Sequence, residues 1–295
     1  MSVGAFRGSE QLRTELIADL MADGKKVQQW LDRTPVADGQ PAAGDQHGFH
    51  PAFTCLVAGL AGDLRTDDAR QFITDVLRAL PLEADTRDAV RCWFIQCWAD
   101  DSFGLETHFR DSVVYEDARA VIDLIETSRN RTVGPRDWRS ARSKIAKAEG
   151  LPVDAAEYAE VILAMGWDID LVPDVALDVV GAWERAIMRT TLAVNGWTDI
   201  LGDELETLST ALHEKALESI DQKADQQTLI RSFKENFERL GSETPRYVEL
   251  SERMKDYGAI AMARGTEWMG LARSTFVAIA SSQAGMACRA PGQAS

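Results

Sequence analysis

The sequence predicts an all-α protein, either a multi-helix bundle or an irregular helical array, with longer antiparallel helices in the C-terminal third. Apolar residues recur at helical spacing along almost the whole chain, as in Phe72, Ile73, Val76, Leu77 and Leu80. Glycines and prolines separate these runs, and Ser, Thr or Asp precedes several of them, which is typical of helix ends. Alternation of apolar and polar residues, which would indicate half-buried strands, is nearly absent.

Changes in composition divide the chain into five predicted segments. Residues 1–34 are expected to form an N-terminal helical arm, and residues 35–51 a flexible loop or linker, because the latter are rich in proline and glycine. A helical body is predicted at 52–196, followed by a long-helix bundle at 197–285 that packs on the body. Residues 286–295 are predicted to be a disordered tail.

Capping residues and prolines indicate where the individual helices begin. Ser, Thr and Asp side chains accept hydrogen bonds from the free N–H groups of a first turn, and proline is well tolerated there because its missing N–H has no partner to lose. Helix starts are therefore predicted at or next to Ser9, Thr66, Asp85 or Thr86, Pro135, Pro152 and Pro173.

The last third of the chain carries narrow apolar seams. Each seam repeats at intervals of three and four residues, which is typical of long helices in a bundle or an antiparallel coiled coil. The seams consist of Leu201, Leu205, Leu208 and Leu212, then Leu229, Phe233, Phe237 and Leu240, then Tyr247, Leu250, Met254, Tyr257 and Ala261. These helices are also candidates for pairing between copies of the chain, which would form a homo-oligomer.

The charge of the chain is large and unevenly distributed. The formal net charge of −15 argues against general nucleic-acid binding, which depends on neutralising phosphates with Lys and Arg. Seven basic residues and one acidic residue lie between Arg129 and Lys147, whereas fifteen acidic and three basic residues lie between Asp154 and Asp221. The two stretches are therefore candidates for two docking surfaces, or for solvated faces that meet each other.

Neither a leader nor a membrane segment is apparent in the sequence. The first residues contain no apolar run of the kind found in signal peptides, and no uncharged apolar stretch is long enough for a membrane helix. A cytoplasmic location is the expectation by elimination. The four cysteines form no CxxC pair and are predicted to be buried reduced thiols.

Few residues carry recognisable chemistry. The sequence contains no P-loop, GxGxxG, HExxH or GxSxG motif. The most suggestive cluster is Asp100, Asp101 and Glu106, with His108 nearby, because adjacent carboxylates at the end of a helix can hold Mg²⁺. This short segment resembles the aspartate-rich motif of class I terpene synthases, which are also all-helical, although the second metal motif of that family has no match downstream. The resemblance implies a Mg²⁺-dependent helical enzyme acting on a phosphate or pyrophosphate.

An interaction protein is the preferred interpretation, and the enzyme is the alternative. An acidic helical chain without a catalytic constellation suits an adaptor, an inhibitor or an immunity-type protein that binds a basic partner through the stretch from Asp154 to Asp221. Trp30 and Trp268 are candidate partner contacts because tryptophan is enriched at binding hot spots. Arg136 and Arg139, on the polar side of a basic helix anchored by Trp138, are further candidates. No cofactor is expected apart from Mg²⁺ under the alternative.

Overall fold

The structure is a computed structural model that describes residues 4–32, 45–220 and 225–282. Over these residues it contains thirteen α-helices, two short 3₁₀ segments and no strand, which confirms the predicted all-α class. The predicted tail and residues 35–44 of the predicted loop lie outside the described ranges. The helices are α1 (Glu10–Ala22), α2 (Gly24–Asp32), α3 (Pro51–Ala61), α4 (Thr66–Ala79), α5 (Thr86–Ala99), α6 (Glu106–Phe109), α7 (Tyr115–Asn130), α8 (Pro135–Ala146), α9 (Val153–Met165), α10 (Val175–Val194), α11 (Asp199–Glu218), α12 (Gln226–Ser242) and α13 (Pro245–Ser282).

Most of the predicted helix starts are confirmed. The Ser9 side chain caps α1 by accepting a hydrogen bond from the backbone N–H of Leu12, and Asp85 caps α5 in the same way. Pro135 is the first residue of α8. The cap predicted at Thr66 differs by one position, because Thr66 is the first residue of α4 and the N-cap position belongs to Arg65, whose side chain makes no capping bond.

The chain divides into two compact units, and two stretches of chain contribute to the first. The described residues up to Ala186 and from Thr266 onward form this unit, and those within Ile187–Gly265 form the second. As far as they are described, the predicted N-terminal arm and the start of the predicted body lie in the same unit, where α1 and α2 both pack against α4. The end of α13 also belongs to this unit.

The core of the first unit is built around α5. Helix α5 is surrounded by the protein on nearly all sides, and its side chains Trp93, Phe94 and Trp98 are fully buried. The indole N–H of Trp93 donates a hydrogen bond to the backbone carbonyl of Ala272 in α13 at 3.3 Å, which satisfies the polar group of a buried ring. Cys55 and Cys97 are buried thiols outside any disulfide, as predicted. Cys92 is disulfide-bonded, so the expected reduced thiol is wrong at that position.

The second unit is organised around a helical hairpin. A short connection joins α11 to α12, and the two helices pack against each other. Leu212 and Ala216 of α11 are buried, and the rings of Phe233 and Phe237 in α12 stack at 5.9 Å. The first two predicted seams therefore face the interior of the hairpin, as period-3.6 patterns require. Among the described helices of both units, none has the length and apolarity that crossing a membrane demands.

Candidate functional site

Helix α11 has two faces of opposite character. Thr198 caps the helix with its hydroxyl oxygen, and the leucine seam, including Leu212, faces the hairpin interior. Because side chains three or four positions apart share a helix face, the opposite side carries Asp199, Asp203, Glu206, Thr210, Glu214 and Glu218. These side chains are all exposed. We call this side of α11 the acidic face.

The acids of this face have no counter-ion among the residues that the structure describes. Within the described part of the chain, none of the five carboxylates of the acidic face takes part in an ion pair. Glu204, on the flank of the same helix, behaves differently because its carboxylate accepts two hydrogen bonds from Arg246 at 2.6 and 2.8 Å. These bonds hold the pKa of Glu204 below its ordinary value. Glu204 thus links α11 to α13, whereas the acids of the acidic face make no such link within the described residues.

Two acids of the acidic face lie at the end of α11 where a negative charge does not stabilise the helix. Glu214 and Glu218 lie in the last turns of α11, near the negative end of the helix macrodipole. Negative charge at that end opposes helix formation by about 0.3–1 kcal/mol per residue, and only Lys215 offsets it locally. Helix stability therefore does not explain why the acidic face continues to the end of α11.

Apolar side chains accompany the acids on the surface. Leu217 is 48% exposed within the acidic face, and Ile200 is 78% exposed at its N-terminal edge. Between them runs a shallow groove lined by Asp203, Glu206, Thr207, Thr210, Ala211 and Glu214. None of the described residues that line the groove is a cation. The surface offers a binding partner both negative charge and apolar area.

The predicted basic helix is α8. Trp138, Ala141 and Ile145 are buried, whereas Arg136 and Arg139 are exposed and take part in no ion pair among the residues that the structure describes. This placement leaves both arginines accessible, as the sequence suggested, but the acidic face lies in the other unit of the chain.

Other cations of α8 are already engaged within the first unit. Arg142 lies over the ring of Trp167 at 3.6 Å and donates to the carbonyl of Gly166 at 2.7 Å. Lys144 forms an ion pair with Asp117 at 3.3 Å. Asp117 precedes the acidic stretch identified in the sequence. The basic side chains of α8 thus divide into engaged and accessible ones.

The two tryptophans suggested as partner contacts are buried. Trp30 is 6% exposed and packs edge-on against Phe49 at 6.0 Å. Trp268 is 4% exposed and stacks on Trp183 at 5.0 Å within the first unit. Both rings therefore contribute to the core of the first unit.

The carboxylates of the candidate metal cluster have local structural roles. Asp100 ends α5 and accepts hydrogen bonds from the backbone N–H groups of Ser102 and Phe103 at 2.8 and 3.2 Å. Glu106 accepts a hydrogen bond from the hydroxyl of Tyr115 at 2.6 Å, which raises the pKa of that tyrosine. Asp101 is exposed. In the ranges the structure describes, no group of three or more His, Cys, Asp or Glu side chains is arranged to hold a metal ion.

Comparison with known proteins adds no family: no protein-family model, curated protein or solved structure matches the chain. The function is therefore argued from the geometry of the acidic face. Sequence inspection located the acidic stretch but singled out none of its members. The available signal was the spacing of Asp203, Glu206 and Glu214, which places them opposite the leucine seam.

Proposed function

We propose that this protein is an interaction protein, of the adaptor or inhibitor kind, that binds a basic partner through the acidic face of α11. The observation that carries the proposal is the row of exposed carboxylates opposite the leucine seam, which have no ion-pair partner among the described residues. Such a row repels itself and weakens the end of its own helix, so a cationic partner would relieve a cost that the free protein bears.

The chemistry of the face also defines the partner. Separated carboxylates along one helix attract Lys and Arg side chains over a distance and accelerate association. Leu217 and Ile200 add exposed apolar area, which favours a partner that presents apolar residues beside its cations. A basic amphipathic helix or strand edge fits this description best, and helix-on-helix recognition is a common mode of peptide binding.

Binding of a defined basic probe tests the proposal. The probe is a synthetic amphipathic peptide of Lys and Leu, titrated into the full-length protein by calorimetry. We expect binding at about 0.05 M salt and much weaker binding at about 0.5 M, because exposed charges are screened beyond a few ångströms at high ionic strength. The triple variant Asp203→Asn, Glu206→Gln, Glu214→Gln should bind about 5- to 30-fold more weakly, since each exposed pair contributes about 0.2–1 kcal/mol.

A matched triple variant supplies the control. Asp256→Asn, Glu235→Gln and Glu252→Gln remove the same charges from exposed positions on α12 and α13 of the same unit. This control should keep most of the affinity of the parent protein. An equal loss of affinity in both triple variants would show that only net charge matters. No loss of affinity in the α11 variant would show that the acidic face does not bind the peptide.

A further inference from the structure

The first unit contains a polar cleft that the proposed function does not use. Its volume is about 220 Å³. Arg87 and Arg91 enter from α5, Trp138 from the first turn of α8, and Asp168 and Asp170 from the segment that follows α9. Two further arginines, Arg129 and Arg131, line it at the end of α7. We call it the arginine cleft.

Asp170 organises one side of the cleft. Its carboxylate accepts from Arg91 Nη2 at 3.1 Å and Arg87 Nη1 at 3.5 Å, and lies 3.2 Å from His50 Nε2. Arg129 is held elsewhere, by two hydrogen bonds to Asp88 at 2.7 and 3.0 Å. These pairs account for the buried guanidinium of Arg91, whose side chain is only 6% exposed, because a buried charge is tolerated only when it is paired.

Two buried donors of the cleft nevertheless lack an acceptor among the described atoms. Arg87 Nε and Trp138 Nε1 are buried and have no hydrogen-bond partner among the described atoms. Arg131 is exposed at the rim and forms no ion pair with any residue that the structure describes. Asp170 already faces two arginines and His50, and Asp168 Oδ1 accepts a hydrogen bond from the backbone N–H of Asp170 at 3.0 Å.

Buried donors without acceptors are rare in folded proteins and call for a partner that only accepts. Ionised phosphate and carboxylate groups are such partners, and arginine binds them with two parallel N–H donors. The volume is smaller than the roughly 300–1,000 Å³ of sites for drug-sized ligands, so it suits a single oxyanion group or a small molecule that carries one. We infer that the arginine cleft binds an oxyanion, held by Arg87, Arg131 and the indole N–H of Trp138.

Two probes distinguish the sources of this chemistry. Inorganic phosphate and acetate are titrated separately into full-length protein labelled with ¹⁵N, against sodium chloride of matched ionic strength so that general screening is equal. The indole N–H signal of Trp138 is identified by its loss in Trp138→Phe. We expect saturable movement of that signal with at least one probe and no movement with chloride. Movement with phosphate alone identifies a phosphate site, and movement with acetate alone identifies a carboxylate site.

Substitution at the rim makes the test independent of core packing. Arg131→Gln should weaken binding of the active probe about tenfold, because it removes a charged hydrogen-bond donor from the anion. Arg110→Gln, an exposed arginine of the same unit outside the cleft, should leave the affinity unchanged. The inference is overturned if neither probe moves the Trp138 signal, or if both arginine variants lose affinity equally. Neither outcome bears on the acidic face, which contributes no residue to the cleft.

Discussion

At the scale of single residues, Arg91 has a distant partner that the sequence does not indicate. It lies on α5 among buried neighbours, and its guanidinium reaches the carbonyl of Ser128 at 2.9 Å and the carboxylate of Asp170. Asp170 is 79 positions further along the chain. A helical pattern indicates which residues share a face, but it does not indicate which distant segment meets that face. The only local signal was an arginine inside an otherwise apolar run, which requires a paired partner without naming it.

His50 links the arginine cleft to the stability of the first unit. Its Nδ1 accepts a hydrogen bond from the backbone N–H of Ala52 and thereby caps α3, so its Nε2 carries the proton that faces Asp170. Burial lowers the pKa of His50 below its ordinary value of 6.5, and the nearby arginines Arg87 and Arg91 lower it further, although Asp170 acts in the opposite direction. The neutral ring is therefore the form that the fold prefers.

The pH dependence of unfolding follows from this pKa. Because the unfolded chain binds the proton more readily, the contribution of His50 is complete above about pH 6.5 and is lost as the pH falls through its folded pKa. We expect the Tm to be steady from about pH 8 to 7 and to fall as the pH drops below about 6.5. His50→Asn keeps a capping acceptor without a titrating ring and should flatten this fall. His213→Asn, on the exposed side of α11, is the control and should not; equal slopes in both variants would contradict the assignment.

At the scale of helices, the sequence predicts α11 well and its partners less well. The spacing of Leu201, Leu205, Leu208 and Leu212 correctly predicts a long helix with one inward side. The depth of burial along that side is not readable from spacing, because it depends on where α12 crosses. Leu212 is buried, whereas the other three seam leucines are only half-buried.

Two leucines of α11 separate the roles of its two faces. Leu212→Ala should lower the free energy of unfolding of the second unit by about 2–4 kcal/mol, because it leaves a cavity between the helices of the hairpin. Leu217→Ala, only five residues further on, should change it by less than about 0.5 kcal/mol, because Leu217 is half exposed on the acidic face. Denaturant unfolding measures both. A large effect at Leu217 would mean that the acidic face is packed against the protein itself.

At the scale of the whole molecule, the sequence predicts the class of fold but not its division. Helical periodicity and the near absence of strand patterns are local properties, so the all-α class is readable from them. The division into units depends on which segments meet in space. The continuous helix α13 begins in the second unit and ends in the first. No loop or change in composition therefore marks the boundary between Gly265 and Thr266.

Charge is distributed unevenly between the helices of the molecule. Helix α11 carries six acidic residues and one basic residue, whereas α12 carries two acidic and three basic residues. The negative charge of the second unit is therefore concentrated on one side of its hairpin. A concentrated field steers an oppositely charged partner more effectively than the same charge spread over the surface.

Capture of the natural partner in cells tests the central claim most directly. The photo-crosslinking residue p-benzoylphenylalanine replaces Thr210, at the middle of the acidic face, in the full-length protein expressed in cells that normally contain it. Gln71, an exposed residue of α4 in the first unit, carries the same group in the control. We predict an adduct with a protein of net positive charge from position 210, weakened by Asp203→Asn, Glu206→Gln and Glu214→Gln, and absent from position 71. No adduct from position 210, or an adduct that the three substitutions leave unchanged, would contradict a basic partner bound at α11.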